Sequence, residues 1–226
     1  MAKKENLKLK QSELKKKYGD TIVRGVPKDL VFRILKKTFT PAEEAMFTIK
    51  DMKKGIIHTP LLMSLNLSLE DKLRYEAEID PEWKQIIPYV VVRHENKIFC
   101  THRLNGGDAR LTGAYSIGTG GHIDVGERIY DAMRRELDEE VGIKEKDILG
   151  YVVEGYILDE ASEVNRVHLG VVIDMVITRD DIQCLETEKL QGEWVTVEQL
   201  KHLYDDDRLE SWSRIVAENI IFKGLV

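Results

Sequence analysis

The sequence predicts an α/β fold in which helices pack on a mixed β-sheet, and three observations support that prediction. Runs rich in β-branched and aromatic residues lie before and after a glycine-rich loop. That loop leads directly into an amphipathic helix around residues 127–140. Further helix signals follow the last predicted strand. Strands that flank a loop-and-helix unit are typical of layered α/β proteins. The 226 residues suit one large domain, or one domain with a substantial extension.

Composition and charge argue against several classes of protein. The formal net charge of -6 does not suit a general nucleic-acid coat, which needs a basic surface. No apolar run approaches the roughly 20 residues of a membrane span, and the lysine-rich start lacks the apolar core of a secretory signal. Cys100 and Cys184 are far apart, which predicts two buried, reduced thiols and no disulfide framework. We therefore expect a cytoplasmic protein without a membrane partner.

Residues 1–85 are predicted to form a mainly helical extension. The first 24 residues carry eight Lys or Arg against three Asp or Glu. This pattern is typical of a solvated, partly frayed arm, and a contact with polyphosphate or RNA is the alternative. A capping box begins at Thr40, with proline at the first helical position, and a second helix start is predicted at Ser68. Because the segment holds no catalytic constellation, we expect it to pack on the main domain or to support dimerisation.

The main domain is predicted over residues 86–226. Its first two β-rich runs, 86–92 and 97–102, are separated by a short polar stretch, which favours a hairpin. The elements predicted after the central helix are strands at 148–158, 167–177 and 193–195, a helix that Thr196 caps, and a last helix at 209–221.

The helix at residues 127–140 places carboxylates where apolar side chains are expected. At about 100° per residue, Glu136 and Glu140 project into the apolar stripe, and Glu139 borders it. Carboxylates so close together repel one another and are costly to bury, so a positive partner is needed. Oxygen ligands spaced one turn apart suit Mg²⁺ or Mn²⁺. The alternative is an ion-pair network with arginines of the same helix, in which Arg135 is spaced i,i+4 from Glu139.

A glycine-rich loop precedes and opens this helix, with glycines at positions 118, 120, 121 and 126. Glycines permit tight turns and a close approach of the backbone to a ligand. From Gly121 the sequence continues with five residues, Glu127, seven residues, and then Arg-Glu-Leu-x-Glu-Glu-x-Gly-Ile, which ends at Ile143. This pattern matches the Nudix box at every defined position, so over these 23 residues the chain resembles the Nudix hydrolases.

The resemblance implies a fold and a metal-dependent active site. The fold would be a Nudix-like α/β/α sandwich with a mixed β-sheet, preceded by the mainly helical N-terminal extension. Glu139 and Glu140 would bind the catalytic Mg²⁺ or Mn²⁺, and the carbonyl group of Gly120 would supply a further oxygen. Glu136 would be the general base or an additional metal ligand, with Arg135 orienting it. The catalytic residues implied are therefore Glu136, Arg135 and Glu139.

Two further acids belong to the site that the resemblance implies. Glu127 would support the metal ligands or bind the metal through water. Glu188 lies six residues before Trp194, where similar members carry one more metal-binding acid. Its neighbour Glu186 is the substitute, and a solvated loop charge is the alternative interpretation of both.

Substrate contacts are predicted at Arg103, Arg110 and His122. The two arginines flank an unusual insertion ahead of the glycine loop, and either could bind a substrate phosphate. His122 lies inside the loop and suits either a phosphate contact or a structural hydrogen bond. His168 is interpreted as a satisfied, half-buried histidine. Aromatic residues that could stack on a base, but for which core packing is the better interpretation, are Trp83, Tyr89 and Tyr115.

The sequence predicts the chemistry and leaves the substrate open. The approach to the box, from Tyr115 to Gly121, lacks the proline that is common in the family. Signatures of ADP-ribose, diadenosine polyphosphate, NADH and coenzyme A members are not evident. We expect a hydrolase that cleaves a diphosphate linkage in a nucleoside diphosphate joined to another moiety.

Two alternative functions are a non-hydrolytic nucleotide-binding or sensing module and an isoprenyl diphosphate isomerase, for which Cys100 would be the active-site cysteine. The expected partner is a small molecule and not a nucleic acid, and a homodimer is a family-level expectation.

Overall fold

The computed structural model describes residues 2–51, 55–104, 113–185, 187–188 and 190–223. The α-helices are α1 (Ala2–Tyr18), α2 (Lys28–Phe32), α3 (Leu61–Leu67), α4 (Arg74–Ala77), α5 (Ile129–Val141), α6 (Val197–Asp205) and α7 (Ser211–Val216). A π-helical turn continues α7 over Ala217–Ile221. Among the described residues, no helix has both the length and the apolar character to cross a membrane.

The strands are β1 (Ile22–Pro27), β2 (Phe39–Pro41), β3 (Met46–Asp51), β4 (Gly55–Pro60), β5 (Glu70–Leu73), β6 (Trp83–His94), β7 (Lys97–Arg103), β8 (Tyr115–Ser116), β9 (Gly118–Thr119), β10 (Ile148–Ile157), β11 (His168–Ile177) and β12 (Leu190–Thr196). The predicted hairpin is present as β6 and β7, which pair antiparallel. The three later strands and the two C-terminal helices also lie where the sequence predicts them.

One mixed sheet organises the fold. Its central path runs β12-β7-β6-β11-β10-β2, and β1, β5, β8 and β9 attach to it. Strands β6 and β11 are parallel, with His168 opposite Gln85, whereas the other pairs are antiparallel. Strands β3 and β4 form a separate two-stranded sheet.

Helices cover both faces of the mixed sheet, as the α/β/α prediction requires. One core cluster joins Ile129, Met133 and Leu137 of α5 to inward-facing residues of β6 and β11. A second cluster joins Leu200 of α6 and Trp212 of α7 to the opposite face. Burial of these apolar side chains is the main favourable term that holds the layers together.

The segment before residue 86 contains strands that the sequence analysis did not predict. Residues 39–41, predicted as the start of a helix at Thr40, instead form β2, which pairs antiparallel with β10. Residues 70–73, which follow the predicted helix start at Ser68, form β5 and pair with β1. Both predicted helix starts were wrong, because strand pairing with distant residues outweighs a local capping signal. The second predicted helix is present in part, as α4. Helix α1 precedes the core as expected, and the division at residue 86 stays a prediction.

Helix α5 has clear local start and stop signals. The backbone N–H of Arg128 donates to the carboxylate of Asp131 at 3.0 Å, which satisfies a donor at the helix N-terminus. Gly142 ends the helix in the left-handed region, with φ of 68°. These signals set the register of the helix, and the register decides which glutamates turn towards the glycine loop.

Candidate active site

The glycine loop packs so tightly on its surroundings that a side chain would clash at three positions, Gly118, Gly120 and Gly121. Gly120 has φ of +152°, and a Cβ there would lie 1.9 Å from the carbonyl oxygen of Pro88. A Cβ on Gly121 would lie 2.4 Å from Oε1 of Glu136. The absence of side chains therefore lets the backbone of the loop approach both strand β6 and the glutamates of α5.

Two of the box glutamates converge on this loop. The carboxylate of Glu136 lies against Gly121, and Oε2 of Glu140 accepts a hydrogen bond from the backbone N–H of Gly120 at 3.3 Å. The side chain of Glu136 is 15% exposed, whereas that of Glu139 is 61% exposed. Burial raises the pKa of Glu136, and the nearby Arg135 opposes that rise. A partly buried carboxylate thus lies beside an accessible one.

Arg135 connects the acids of the site. Its Nε donates to Glu127 at 2.8 Å, and its Nη1 donates to Glu136 at 2.8 Å and to Glu139 at 3.2 Å. Its Nη2 donates to the backbone carbonyl oxygen of His122 at 2.8 Å. These hydrogen bonds lower the pKa of Glu127 and raise that of Arg135. The ion-pair network that the sequence analysis weighed as the alternative to a metal site is therefore present.

The types of donor atom in the predicted set suit a hard divalent cation despite this network. Arg135 carries one positive charge against the three carboxylates to which it donates hydrogen bonds and that of Asp124, 3.7 Å from its Nε, so negative charge remains in excess. The oxygens available are those of Glu136, Glu139 and Glu140 and the backbone carbonyl of Gly120. Carboxylate and carbonyl oxygens are the ligands that Mg²⁺ and Mn²⁺ prefer.

Of the two arginines predicted to bind phosphate, the structure describes Arg103. Arg103, at the end of β7, lines a cavity of about 170 Å³ with Thr101, Ser116 and Glu210. Of the described residues that line this cavity, none is a box glutamate. Arg110 lies outside the described residues. Phosphate binding by either arginine stays a prediction.

Glu188 is exposed in the turn before β12. The loop that carries it approaches the box helix at Leu185, whose backbone N–H donates to the carbonyl oxygen of Glu140 at 2.8 Å. Glu186 lies outside the described residues. The loop is thus close to the C-terminal end of α5, and the role of Glu188 stays a prediction.

The ring of His122 turns towards His168 and Glu78. The two Nε2 atoms are 3.3 Å apart, and Nδ1 of His168 lies 2.7 Å from the carbonyl oxygen of Val164. Burial lowers the pKa of both histidines. His168 is satisfied, as expected, and is buried. Glu78 is not predicted from the sequence, because no local motif links position 78 to the glycine loop.

Two of the three aromatic residues considered for base stacking belong to the core. Trp83 is 4% exposed and Tyr89 is 6% exposed. The hydroxyl of Tyr89 lies 2.8 Å from Ser213 Oγ and donates to Glu210 at 2.8 Å. Tyr115 is half-buried and stacks on His102, with ring centroids 4.3 Å apart. Core packing is therefore the better interpretation for Trp83 and Tyr89.

Both cysteines are free and buried, as the sequence predicts. Burial raises the pKa of Cys100 to about 12 and that of Cys184 to about 11. A thiol with a raised pKa is not activated as a nucleophile or acid at neutral pH. The environment of Cys100 therefore does not support the isomerase alternative.

Known proteins are similar to this chain in sequence and in fold. The NUDIX domain family model matches residues 84–216. Protein YmaB of Bacillus subtilis (strain 168) is 30% identical over 208 residues, which cover 88% of this chain and 97% of that protein. The crystal structure of Tm1382, a presumptive Nudix hydrolase, superposes on this chain with a TM-score of 0.65 at 24% identity. The superposition covers 91% of this chain and 99% of that chain, and this likeness supports the fold. With the complete box on α5 and its loop, these matches show that the chain belongs to the Nudix family.

Proposed function

We propose that this protein is a metal-dependent pyrophosphohydrolase that cleaves a diphosphate linkage in a nucleoside diphosphate joined to another moiety. The observation that carries the proposal is the convergence of Glu136 and Glu140 on the backbone of Gly120 and Gly121. A carboxylate cluster of this kind suits a phosphorylated small molecule, because the substrate phosphates share the cation that the acids hold.

The residues that would hold Mg²⁺ or Mn²⁺ are Glu139, Glu140 and the carbonyl group of Gly120, with Glu136 and Glu188 as candidates for further positions. Such an ion, when bound, withdraws charge from phosphoryl oxygens and makes water more acidic. The exposed Glu139 lies at the solvent side of the cluster, where a substrate can approach.

Glu136 is the proposed general base. Its partial burial raises the pKa of its carboxylate, which makes Glu136 a better proton acceptor than a fully solvated glutamate. Arg135 is the proposed positioning residue, since its guanidinium bonds both Glu136 and Glu127 and so holds the base in one orientation. Positioning of this kind lowers the entropic cost of the reaction.

A substrate panel tests the proposal. Nucleotide sugars, ADP-ribose, dinucleotides and nucleoside triphosphates are incubated with Mg²⁺ or Mn²⁺, and phosphorus NMR identifies the products. Reaction in ¹⁸O-labelled water shows whether water attacks phosphorus. We expect turnover of at least one compound, loss of turnover on adding a chelator, and a fall of at least about 100-fold in Glu139→Gln/Glu140→Gln.

Asp138→Asn is the matched control, because Asp138 lies on the same helix but pairs with Lys144. Its turnover should stay close to that of the wild type. If the folded, metal-binding wild type turns over no member of the panel, the non-hydrolytic binding or sensing module becomes the better interpretation.

A further inference from the structure

Glu78, His122 and His168 form a second cluster of metal-ligating side chains. One ligand atom from each lies within 4.8 Å of the other two. Glu78 follows helix α4, ahead of the region that the family model matches; His122 belongs to the glycine loop; His168 begins β11. Three parts of the chain that are distant in sequence thus place two imidazoles and a carboxylate within 4.8 Å of one another.

The separation of the two imidazoles suits a shared metal ion. Their Nε2 atoms are 3.3 Å apart. Zinc binds imidazole nitrogen at about 2.0–2.1 Å in tetrahedral geometry, which places two such nitrogens about 3.3–3.4 Å from each other. The observed distance therefore equals the distance between two histidine ligands of one tetrahedral ion.

The backbone sets His168 in the tautomer that a metal requires. A carbonyl oxygen only accepts hydrogen bonds, so the Nδ1 atom that lies 2.7 Å from the carbonyl oxygen of Val164 carries the proton. Nε2 of His168, which lies 3.3 Å from Nε2 of His122, is then unprotonated and has a lone pair available. A histidine whose other ring nitrogen donates to a backbone carbonyl is the usual arrangement at metal sites.

A buried, unsatisfied amide lies next to His168. Gln85 is its register partner in the parallel strand β6, so both side chains leave the same face of the sheet. Gln85 is fully buried, and neither polar atom of its side-chain amide has a hydrogen-bond partner among the described residues. Buried amides of this kind are rare, and a hydrated cation at the cluster would supply a partner.

Three nearby positive charges oppose cation binding: Arg74 acts on both histidines, Arg135 acts on His122, and Lys84 acts on His168. Nε of Arg74 lies 3.3 Å from Oε1 of Glu78. The guanidinium also stacks on the ring of Tyr18, 4.3 Å from its centroid, which anchors it on the side of α1. Because the ion pair uses Oε1, the second carboxylate oxygen of Glu78 remains the candidate ligand.

We propose that Glu78, His122 and His168 bind a transition-metal ion of the Zn²⁺ class. Two nitrogen donors favour zinc and its neighbours over Mg²⁺, whereas the box acids offer oxygen only. The ion would tie the segment around α4 to the glycine loop, and it would stabilise the folded chain by mass action. The alternative is a hydrogen bond from one imidazole to the other, with no ion.

Metal binding to the full-length protein tests this site. Metal-free wild type is titrated with Zn²⁺ against a chromophoric chelator in excess Mg²⁺, and Co²⁺ reports coordination geometry by its visible absorption. Metal content is measured after dialysis, and Tm is measured with and without Zn²⁺. The variants are His168→Gln and Glu78→Gln. His94→Gln is the matched control, since this partly buried histidine also lies beside a backbone carbonyl, that of Ile177.

We expect one equivalent of Zn²⁺ in the wild type, the absorption of tetrahedral Co²⁺, and a Tm that rises with Zn²⁺ concentration. Removal of a residue that only supports a metal ligand typically weakens binding by about 10- to 100-fold. Removal of a side chain that binds the ion directly should weaken Zn²⁺ binding by more than that. His94→Gln and Glu139→Gln/Glu140→Gln should bind Zn²⁺ like the wild type. If His168→Gln does not fold, the Zn²⁺ affinity of Glu78→Gln tests the proposal.

Three results would overturn the proposal. The wild type could fail to retain Zn²⁺, which would favour the hydrogen bond between imidazoles. Glu78→Gln and His168→Gln could both bind Zn²⁺ like the wild type. Finally, Zn²⁺ binding could be lost in Glu139→Gln/Glu140→Gln, which would place the ion at the box glutamates.

Discussion

Arg24, in strand β1, donates from Nη1 to the backbone carbonyl oxygen of Glu127 at 2.6 Å. The backbone N–H of Arg24 also donates to the carbonyl oxygen of Ile123 at 3.0 Å. Strand β1, which lies before the matched family region, thus binds the backbone of the glycine loop at Ile123 and the backbone of Glu127, which follows the loop. Since Glu127 in turn bonds Arg135, the first part of the chain supports the geometry of the candidate active site.

Arg24→Ala should destabilise the protein and lower its activity. The substitution removes hydrogen bonds to the carbonyl groups of Glu127 and Leu69 and to the carboxylate of Asp71. Loss of partly buried, charge-assisted hydrogen bonds should reduce the free energy of unfolding by about 1–3 kcal/mol. Urea denaturation measures this change. Lys10→Ala, which breaks an exposed ion pair, is the control and should stay within about 0.5 kcal/mol of wild type.

Gly121→Ala should lower turnover with only a small effect on folding. The added Cβ would lie 2.4 Å from Oε1 of Glu136, so the carboxylate of the proposed base must move. A displacement of about 1 Å at a catalytic group can reduce the rate by about 100-fold. Gly150→Ala is the control, because a Cβ there meets nothing within 4 Å. Equal kcat values for the two variants would contradict the proposed role of Glu136.

Arg135→Lys should reduce activity although the positive charge is kept. A lysine cannot reproduce the fork by which the guanidinium bonds Glu127, Glu136 and the carbonyl group of His122 at once. We expect a loss of about 10- to 100-fold in kcat/KM, as is usual for residues that orient ligands of a metal site. Arg134→Lys, whose guanidinium contacts Glu145 at the surface, should change kcat/KM little.

Cys100 should resist alkylation in the folded protein. Burial raises the pKa of this thiol to about 12, so at pH 9 only about one molecule in a thousand carries the reactive thiolate. Mass spectrometry after iodoacetamide treatment should find Cys100 unmodified between pH 7 and pH 9, and modified once guanidinium unfolds the chain. Cys100→Ala should retain the hydrolytic activity, and loss of that activity would revive the isomerase alternative.

Tyr89→Phe should loosen helix α7 from the sheet. The hydroxyl of Tyr89, on β6, lies 2.8 Å from Ser213 Oγ and donates to the carboxylate of Glu210 at 2.8 Å. Loss of these partly buried hydrogen bonds should lower the free energy of unfolding by about 1–2 kcal/mol. Tyr151→Phe is the control, since Tyr151 is 40% exposed. A thermal unfolding curve that Tyr89→Phe leaves unchanged would contradict the structural role of this hydroxyl.

The elements that the sequence predicted well depend on short-range geometry. The helix that carries Glu136 and Glu140 follows from its apolar periodicity, and its end follows from Gly142, which adopts the left-handed conformation. The β6–β7 hairpin also needs only two adjacent runs and a polar turn. The convergence of the glutamates on the glycine loop was expected from the resemblance to the Nudix box.

The helix starts predicted at Thr40 and Ser68 were wrong for a physical reason. Each segment has a local capping pattern, but its backbone groups gain more from pairing with a distant strand. Residues 39–41 pair with β10, more than 100 positions later in the sequence. A capping signal is worth only about 1 kcal/mol, so long-range pairing and burial decide such short segments.

The sequence by itself determined the family motif and the acids on one helix face, because these depend on spacings of seven residues or fewer. Only the tertiary structure decided which residues support that face. Arg24 reaches the loop from β1, and Glu78 meets His122 and His168 from the end of α4. These contacts join positions that are 44 or more residues apart in the sequence. They form because the sheet brings distant strands side by side, and local propensity carries no information about such pairings.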